Sequence, residues 1–282
     1  MRYYAAKKYL LKSMAKGLGE EFVKYLRDML VEKDTSDEFK ALLLGIPSVE
    51  EIYDAGKYKT FDEAKVTQNK VKIFIAKRLE NVFLELLKSN NNALKNAAIQ
   101  YLAALGKYKN LVLEYYYNAQ NMTEKEAAFK AITASSWNEK GAVIEDFYNR
   151  YKGYDAVLNK WFAIQMAAGS KEVLQNAKKL LKHHDFNLST PSRAYALIRT
   201  LIHNPCVFNR ADGAGYSFVA DCIIKASEVN KNVTNRLLDA FFRYNNLSDE
   251  MEVKLNKAAM FMKERIKDEA IVEKINKKLR TP

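Results

Sequence analysis

The segment FNRADGAGYSF, residues 208–218, is either a loop that binds phosphate or calcium or a turn between two helices of an all-α fold. It holds two of the ten glycines among 282 residues, Gly213 and Gly215. A phosphate loop of the G-x-G-x-x-G type would need a third glycine where Phe218 stands, and a strand before it. A calcium loop needs several oxygen ligands, and Asp212 supplies a single carboxylate. We therefore predict a tight corner between two helices, in which Asp212 caps the second helix.

Helical periodicity extends outward from this corner in both directions. In EEFVKYLRDMLVEK, residues 20–33, apolar residues recur at spacings of three and four, as one helical face requires. The face consists of Phe22, Tyr25, Leu26 and Met29. Glycine and proline are scarce, with 10 and 4 copies, whereas sandwich folds need many tight turns.

Helix starts are marked by capping-box pairs, in which a hydroxyl and a glutamate three residues later satisfy the first amides. The pairs are Ser48 with Glu51, Thr60 with Glu63, and Thr123 with Glu126. No repeat of fixed length is visible, and no linker divides the chain. The sequence predicts an all-α fold: an irregular α-solenoid of about fifteen short paired helices, forming one domain over residues 1–282.

The charge pattern and the cysteine content argue against a polyanion-binding protein and against a disulfide-rich or zinc-binding one. The net charge of +12 comes from 46 basic and 34 acidic residues, which alternate along most of the chain. This pattern favours a lysine-rich solvated surface over a site for a polyanion. Cys206 and Cys222 match no zinc or disulfide spacing. With no signal-peptide pattern and no long apolar run, we expect a cytoplasmic protein without a membrane partner.

The sequence offers little sign of chemistry of its own. Its three histidines are His183, His184 and His203, and none is followed by glutamate, so no H-E-x-x-H zinc motif exists. Serine-nucleophile and Walker motifs are also absent from the sequence. Adjacent histidines at a helix end would point in different directions and could not share a metal. We therefore expect no catalytic residue and no metal ligand in this chain.

One polar pair is a candidate binding site. In NKNVTNRLLDAFFRYN, residues 230–245, Asn232 and Arg236 are four apart and share one helical face. An arginine beside an amide suits a carboxylate or carbonyl ligand. The alternative is an ion pair between Arg236 and an acid of a neighbouring helix. The apolar stripe beside the pair comprises Val233, Leu237, Leu238, Phe241 and Phe242.

Several stretches, in order along the chain, resemble the C-terminal helical domain of bacterial zinc aminopeptidases of the alanyl aminopeptidase (aminopeptidase N) type. The run from Leu158 to Arg236 is the most specific. The matching stretches are LLLGIPSVEEI (42–52), YYNAQNMTEKEAAF (116–129), VLNKWFAIQMAA (157–168), FNLSTPSRAYALI (186–198), NPCVFNRADGAGYSF (204–218) and VTNRLL (233–238).

The resemblance implies a role without catalysis. In that family the zinc ligands lie in a separate upstream domain, and the helical domain closes over the active site and walls a chamber that peptides enter. The resemblance implies that Asn232 and Arg236 contact the substrate's carboxyl-terminal side. The chain would then be an excised C-terminal cap whose partners are its own catalytic domains and peptides. Zinc is expected in the full-length parent and no cofactor in this chain.

The chain departs from the family pattern at several positions. The family motif N-P-N-R-x-R reads T-P-S-R-A-Y here, so that Arg193 is kept and Tyr195 replaces a second arginine. Both residues are predicted, by the resemblance, to contact substrate. Asn209 replaces a family histidine, and Asn159 replaces an aspartate. These changes are expected to alter peptide preference and to leave the fold intact.

A second hypothesis is a free-standing solenoid scaffold that binds nucleic acid or an acidic protein. Its support is the net charge and the basic segment at residues 254–280. That segment has one aromatic residue, Phe261, whereas base stacking favours several. It also contains four acids, so nucleic acid is not expected as a partner. The acids are Glu264, Asp268, Glu269 and Glu273.

Overall fold

The fold is helical throughout the part of the chain that the computed structural model describes, which is residue 10 and residues 19–56, 58–169 and 172–279. Seventeen helices and no strand occur in these ranges, against the roughly fifteen helices expected. None of these helices is long and apolar enough to cross a membrane. The all-α prediction is therefore confirmed for the described residues.

The chain divides into two compact units, Met1–Ile144 and Glu145–Pro282. Each unit buries apolar side chains of its own, and the expectation of one domain over residues 1–282 stays a prediction. The helices of the first unit are α1 Glu20–Val31, α2 Asp37–Leu43, α3 Val49–Asp54, α4 Phe61–Arg78, α5 Glu80–Leu86, α6 Asn92–Ala104, α7 Lys109–Tyr117, α8 Met122–Thr133 and the start of α9, Lys140–Tyr151.

Helix α6 is the centre of the first unit. It packs against α2, α4, α5, α7 and α8, so most contacts join helices that are close in sequence. Contacts between near neighbours are typical of solenoids, in which each layer buries its apolar face on the next. Within this core, Phe83 and Tyr101 stack with ring centroids 4.5 Å apart, and the Tyr101 hydroxyl donates to the Leu44 carbonyl at 2.8 Å.

The second unit contains the candidate site. Helix α12 covers residues 191–202 and includes one π-helical turn, Tyr195–Arg199. It packs against α10, α11 and α15, and α14 packs against α15 and α16. The other helices of this unit are α10 Asp155–Ala167, α11 Val173–Leu180, α13 Pro205–Phe208, α14 Ala214–Val229, α15 Lys231–Phe241, α16 Asp249–Lys263 and α17 Glu269–Lys278.

The predicted face of α1 is correct in part. Phe22 and Leu26 are buried, but Tyr25 is exposed and Met29 is only partly buried. Val23 and Leu30 fill the face instead. The buried face of α1 is thus shifted around the helix relative to the predicted face, so that it includes Val23 and Leu30. The Tyr25 side chain points to solvent as a result.

Two of the three predicted helix starts are correct. Ser48 and Glu51 form a complete capping box, and Thr60 accepts the Glu63 amide at 3.2 Å. The prediction at Thr123 is wrong, because the cap of α8 lies two residues earlier. The Asn121 side chain accepts the Glu124 amide at 2.9 Å, and asparagine is among the strongest N-cap residues.

The segment at residues 208–218 is an interhelical corner, as predicted. Gly213 has a positive φ of 70°, and the Asp212 carboxylate accepts the Ala214 amide at the start of α14, at 3.0 Å. The Arg210 guanidinium donates two hydrogen bonds to the same carboxylate. These bonds lower the pKa of Asp212 to about 2. The Asp212 carboxylate therefore caps α14, and the Arg210 guanidinium balances its charge.

Gly215 allows α14 to lie directly on the preceding helical turn. A Cβ atom at this position would stand 2.3 Å from the Phe208 carbonyl oxygen and 2.4 Å from that of Val207. Both distances are shorter than any real contact, and backbone atoms have little freedom to withdraw. Glycine is therefore required here by packing, whereas Gly213 is favoured by its backbone conformation.

We expect Gly215→Ala to lower the free energy of unfolding by about 1–3 kcal/mol, because the added methyl overpacks a backbone contact. Gly141→Ala is a matched control, since Gly141 is also the second residue of its helix and has nothing within 4 Å of its Cβ position. The control should raise stability by about 0.5 kcal/mol. Urea denaturation measures both, and equal stability of the two variants would contradict the close packing.

Candidate functional site

Helix α15 carries the predicted polar pair, and its start is fixed by Asn230. The Asn230 side chain accepts the amides of Asn232 and Val233 at 3.0 and 3.1 Å. Asn230 is thus the cap, which leaves the side chain of Asn232 outside the capping interaction. Asn232 and Arg236 both lie on the exposed side of the helix.

The buried side of α15 matches the predicted apolar stripe. The stripe faces the second unit's core, which holds the helix by one side and directs the opposite side outward. Its members Val233, Leu237, Leu238 and Phe241 are fully buried, and Phe242, just beyond the helix, is nearly so.

The Arg236 guanidinium has no hydrogen bond or ion pair to any residue that the structure describes. The expected alternative was a pair with an acid of a neighbouring helix. The acid on the next turn of α15, Asp239, binds Lys274 at 3.0 Å and Lys278 at 3.4 Å instead. Arg236 therefore keeps its five N–H donors for solvent or for a ligand.

The turn before α12 lies beside the start of α15. The Asn230 side-chain amide donates to the Ser189 carbonyl at 2.9 Å, which joins the two segments. Thr190 is the N-cap of α12, and Pro191 is its first residue. Tyr195 follows in the π-helical turn and is partly buried. Its hydroxyl has no partner among the described residues.

Arg193, the second arginine of the predicted site, is in a different environment from Arg236. It is 6% exposed, donates to Asp155 at 3.0 Å and lies over the ring of Phe162 at 5.2 Å. Its Nη1 atom is buried without a partner in the described structure. Arg193 is therefore engaged by Asp155 and Phe162 within its own unit. Its predicted contact with substrate stays a prediction.

Asn209, which replaces a family histidine, is also internal. It is 3% exposed, and its side-chain oxygen accepts the hydroxyl of Tyr216 at 2.9 Å. Its Nδ2 atom has no partner among the described atoms. Asn209 thus belongs to the core beneath the corner at residues 208–218, and its effect on peptide preference is untested.

The prediction about the adjacent histidines is wrong in its geometry. Helix α11 ends at Leu180, so His183 and His184 lie beyond it in a turn, with their rings stacked 4.4 Å apart. Together with Asp185 they place three potential ligand atoms within 4.8 Å of one another. The helical spacing rule did not apply, because the backbone had already left the helix. The sequence analysis also missed Asp185 and its partner Tyr148.

The layered helices define the class of this protein as a helical-repeat domain. The model of the family described as "Domain of unknown function (DUF3458_C) ARM repeats" matches residues 1–268. The chain belongs to this family. ARM repeats are stacked helices, so the match confirms the predicted α-solenoid.

Curated relatives are aminopeptidases. Aminopeptidase N of Haemophilus influenzae is 28% identical over 264 residues, which is 88% of this chain and 29% of that protein. Aminopeptidase N of Escherichia coli is 25% identical and covers 82% of this chain. That of Caulobacter vibrioides is 28% identical and covers 79%. The chain spans less than a third of the length of each relative.

A solved structure extends the likeness to three dimensions. Legionella pneumophila aminopeptidase A, crystallised in complex with aspartic acid, matches with a TM-score of 0.88 and 25% identity. The match covers 98% of this chain and 36% of that protein's chain. The comparisons confirm the resemblance on which the sequence analysis relied: the chain corresponds to a C-terminal domain of aminopeptidases.

The two arginines of the site should differ in their effect on stability. We expect Arg193→Ala to lower the free energy of unfolding by about 1–3 kcal/mol, because it removes buried packing, the contact with Phe162 and an ion pair. Arg236→Ala should change it by less than about 0.5 kcal/mol, since the side chain is exposed and unpaired. Urea denaturation of both variants tests this. A larger loss at Arg236 would show that it has a structural partner.

Proposed function

We propose that this chain is the non-catalytic C-terminal cap of a zinc-dependent aminopeptidase that removes N-terminal residues from peptides. The observation that carries the proposal is Arg236, which is exposed, unpaired among the described residues and one helical turn from Asn232. A surface arginine on a rigid helix with a free guanidinium is suited to binding a partner. The relatives and the solved structure support an aminopeptidase as the parent.

The cap would act by position. A guanidinium can donate two parallel hydrogen bonds to a carboxylate or to carbonyl oxygens of a peptide, and the amide of Asn232 can add another. Because α15 is fixed by its buried face, these donors would hold the carboxyl-terminal side of the peptide in register with a distant scissile bond. The helices around them would form the wall of the chamber and exclude folded proteins.

The residues of this chain do not fit the catalytic zinc site. It has three histidines and no H-E-x-x-H motif. We propose that the zinc is bound by another part of the full-length parent, with the catalytic domains as the partner of this chain. No step of peptide hydrolysis is assigned to residues of this chain. Cys206 and Cys222 form no disulfide, which fits the reducing cytoplasm, the compartment that we propose.

The scaffold hypothesis is less well supported by the C-terminal helices. Four of their lysines, and Lys231 of α15, form ion pairs with acids of the same unit, and these pairs reduce the charge that a polyanion would encounter. The pairs are Lys254 with Glu250, Lys274 and Lys278 with Asp239, Lys277 with Glu273, and Lys231 with Asp268.

The purified chain should release no product from an alanyl chromogenic substrate, because it lacks a zinc motif. A full-length bacterial aminopeptidase N is the positive control, and a chelator should abolish the activity of that control. Hydrolysis by the chain alone that persists in the presence of chelator would refute the non-catalytic assignment.

Arg236→Ala in the full-length enzyme should raise KM for peptides by about tenfold, equal to about 1.4 kcal/mol, and change KM for single-residue amides less than twofold. The reason is that an amide with one residue does not reach the guanidinium. Arg236→Lys should give a KM for peptides between those of the wild-type enzyme and Arg236→Ala, since lysine keeps the charge and loses the paired donors. Arg265→Ala is the control for an exposed arginine elsewhere in the unit, in the turn after α16. Equal effects on both substrate types would count against the contact.

Electrophoretic mobility of RNA and DNA probes tests the scaffold hypothesis. We expect no shift with this chain, even at low salt, where non-specific binding to phosphates is strongest. Binding that weakens steeply as salt rises would support a nucleic-acid partner instead.

A further inference from the structure

A cluster of polar side chains lies outside the site around α15. It comprises His183, His184 and Asp185, which follow one another in the turn after α11, and Tyr148, which comes from α9. The turn is held by its own backbone hydrogen bonds, from the His183 amide to the Leu180 carbonyl at 3.1 Å and from the Phe186 amide to the His183 carbonyl at 2.8 Å. The cluster is therefore built on a defined backbone.

Two of the ligand atoms of the cluster have the separation that a metal ion requires, and the third lies close to them. Nε2 of His184 lies 3.3 Å from Oδ2 of Asp185, and Nδ1 of His183 lies 3.9 Å from the same oxygen. Two ligands of a tetrahedral ion with bonds of about 2.1 Å stand about 3.4 Å apart. A cation could thus bind His184 and Asp185 with little movement. His183 would have to rotate and give up the hydrogen bond that its Nδ1 atom accepts from the Asp185 amide at 3.2 Å.

The Tyr148 hydroxyl marks the point on which these atoms converge. It donates to Oδ2 of Asp185 at 2.6 Å and lies 2.8 Å from Nε2 of His184. Burial, together with the Asp185 carboxylate, raises the pKa of Tyr148 to about 12. The Tyr148 hydroxyl thus occupies the two atoms that a cation would bind.

The surroundings of His183 affect binding in two directions. Burial is the main cause that lowers the pKa of His183, followed by the adjacent His184. The Arg193 guanidinium also lowers this pKa, and its charge would repel a cation. The ion pair of Arg193 with Asp155, at 3.0 Å, offsets part of that repulsion.

We propose that His183, His184 and Asp185 form a binding site for one late first-row divalent cation, such as Zn²⁺, Co²⁺ or Ni²⁺. Two imidazoles and one carboxylate are the donor set that these ions prefer, whereas Ca²⁺ and Mg²⁺ require more oxygen ligands. The ion would displace the Tyr148 hydroxyl from Asp185. It would also clamp the turn that leads into Thr190 and Arg193.

Calorimetric titration of the untagged chain with Zn²⁺ tests the site. We expect one equivalent to bind and the melting temperature to rise, because the ion binds the folded state. His184→Ala and Asp185→Asn should each weaken binding about tenfold or more, by loss of a direct ligand. His184 has a side chain that is 75% exposed, so its variant should fold normally. No binding to the wild-type chain would overturn the proposal.

Two further variants separate this site from other sources of binding. His203→Ala removes the third histidine of the chain and should leave the affinity unchanged. Tyr148→Phe removes the competing hydroxyl and should leave the affinity equal or higher. Loss of binding in His203→Ala, or equal affinity in the wild-type chain and His184→Ala, would refute the assignment. Titration with Co²⁺ is a second probe, and a sulfur-to-cobalt absorption band would assign binding to a cysteine instead.

Discussion

The burial of one face of α15 is the constraint on which the proposed function depends. Val233, Leu237 and Phe241 lie in the core of the second unit, so the helix cannot turn about its axis without exposing them. Asn232 and Arg236 therefore project from a fixed side of the helix, and Asn230 fixes where the helix begins. The fixed backbone limits where the guanidinium can reach, although the exposed side chain of Arg236 still loses conformational entropy when it contacts a ligand.

Arg193 and Arg236 have the same chemistry and different environments. Arg193 is buried against Phe162 and paired with Asp155, whereas Arg236 is exposed and has no partner among the described residues. The sequence analysis predicted that both contact substrate, whereas the structure places them in different environments. The first helps to hold α12 against α10, and the second is available to a ligand. This division makes Arg236 the stronger candidate for peptide contact.

The sequence predicted what depends on local periodicity and failed where tertiary contacts decide. The stripe of α15, the Ser48 cap and the corner that Asp212 caps followed from spacing and residue type. The position of Tyr25 did not, because the buried face of α1 is completed by Val23 and Leu30 and leaves Tyr25 exposed. The cluster at residues 183–185 was missed, since its geometry depends on where α11 ends and on Tyr148, which is distant in sequence.

The most direct test of the central claim is an immunoblot of the source cells with an antibody against this chain. The account predicts a single band well above 32.4 kDa, because the chain would function as part of a longer aminopeptidase. A dominant band at 32.4 kDa would contradict it. Such a band would mean that the chain is a free helical protein, with no catalytic domain to close upon.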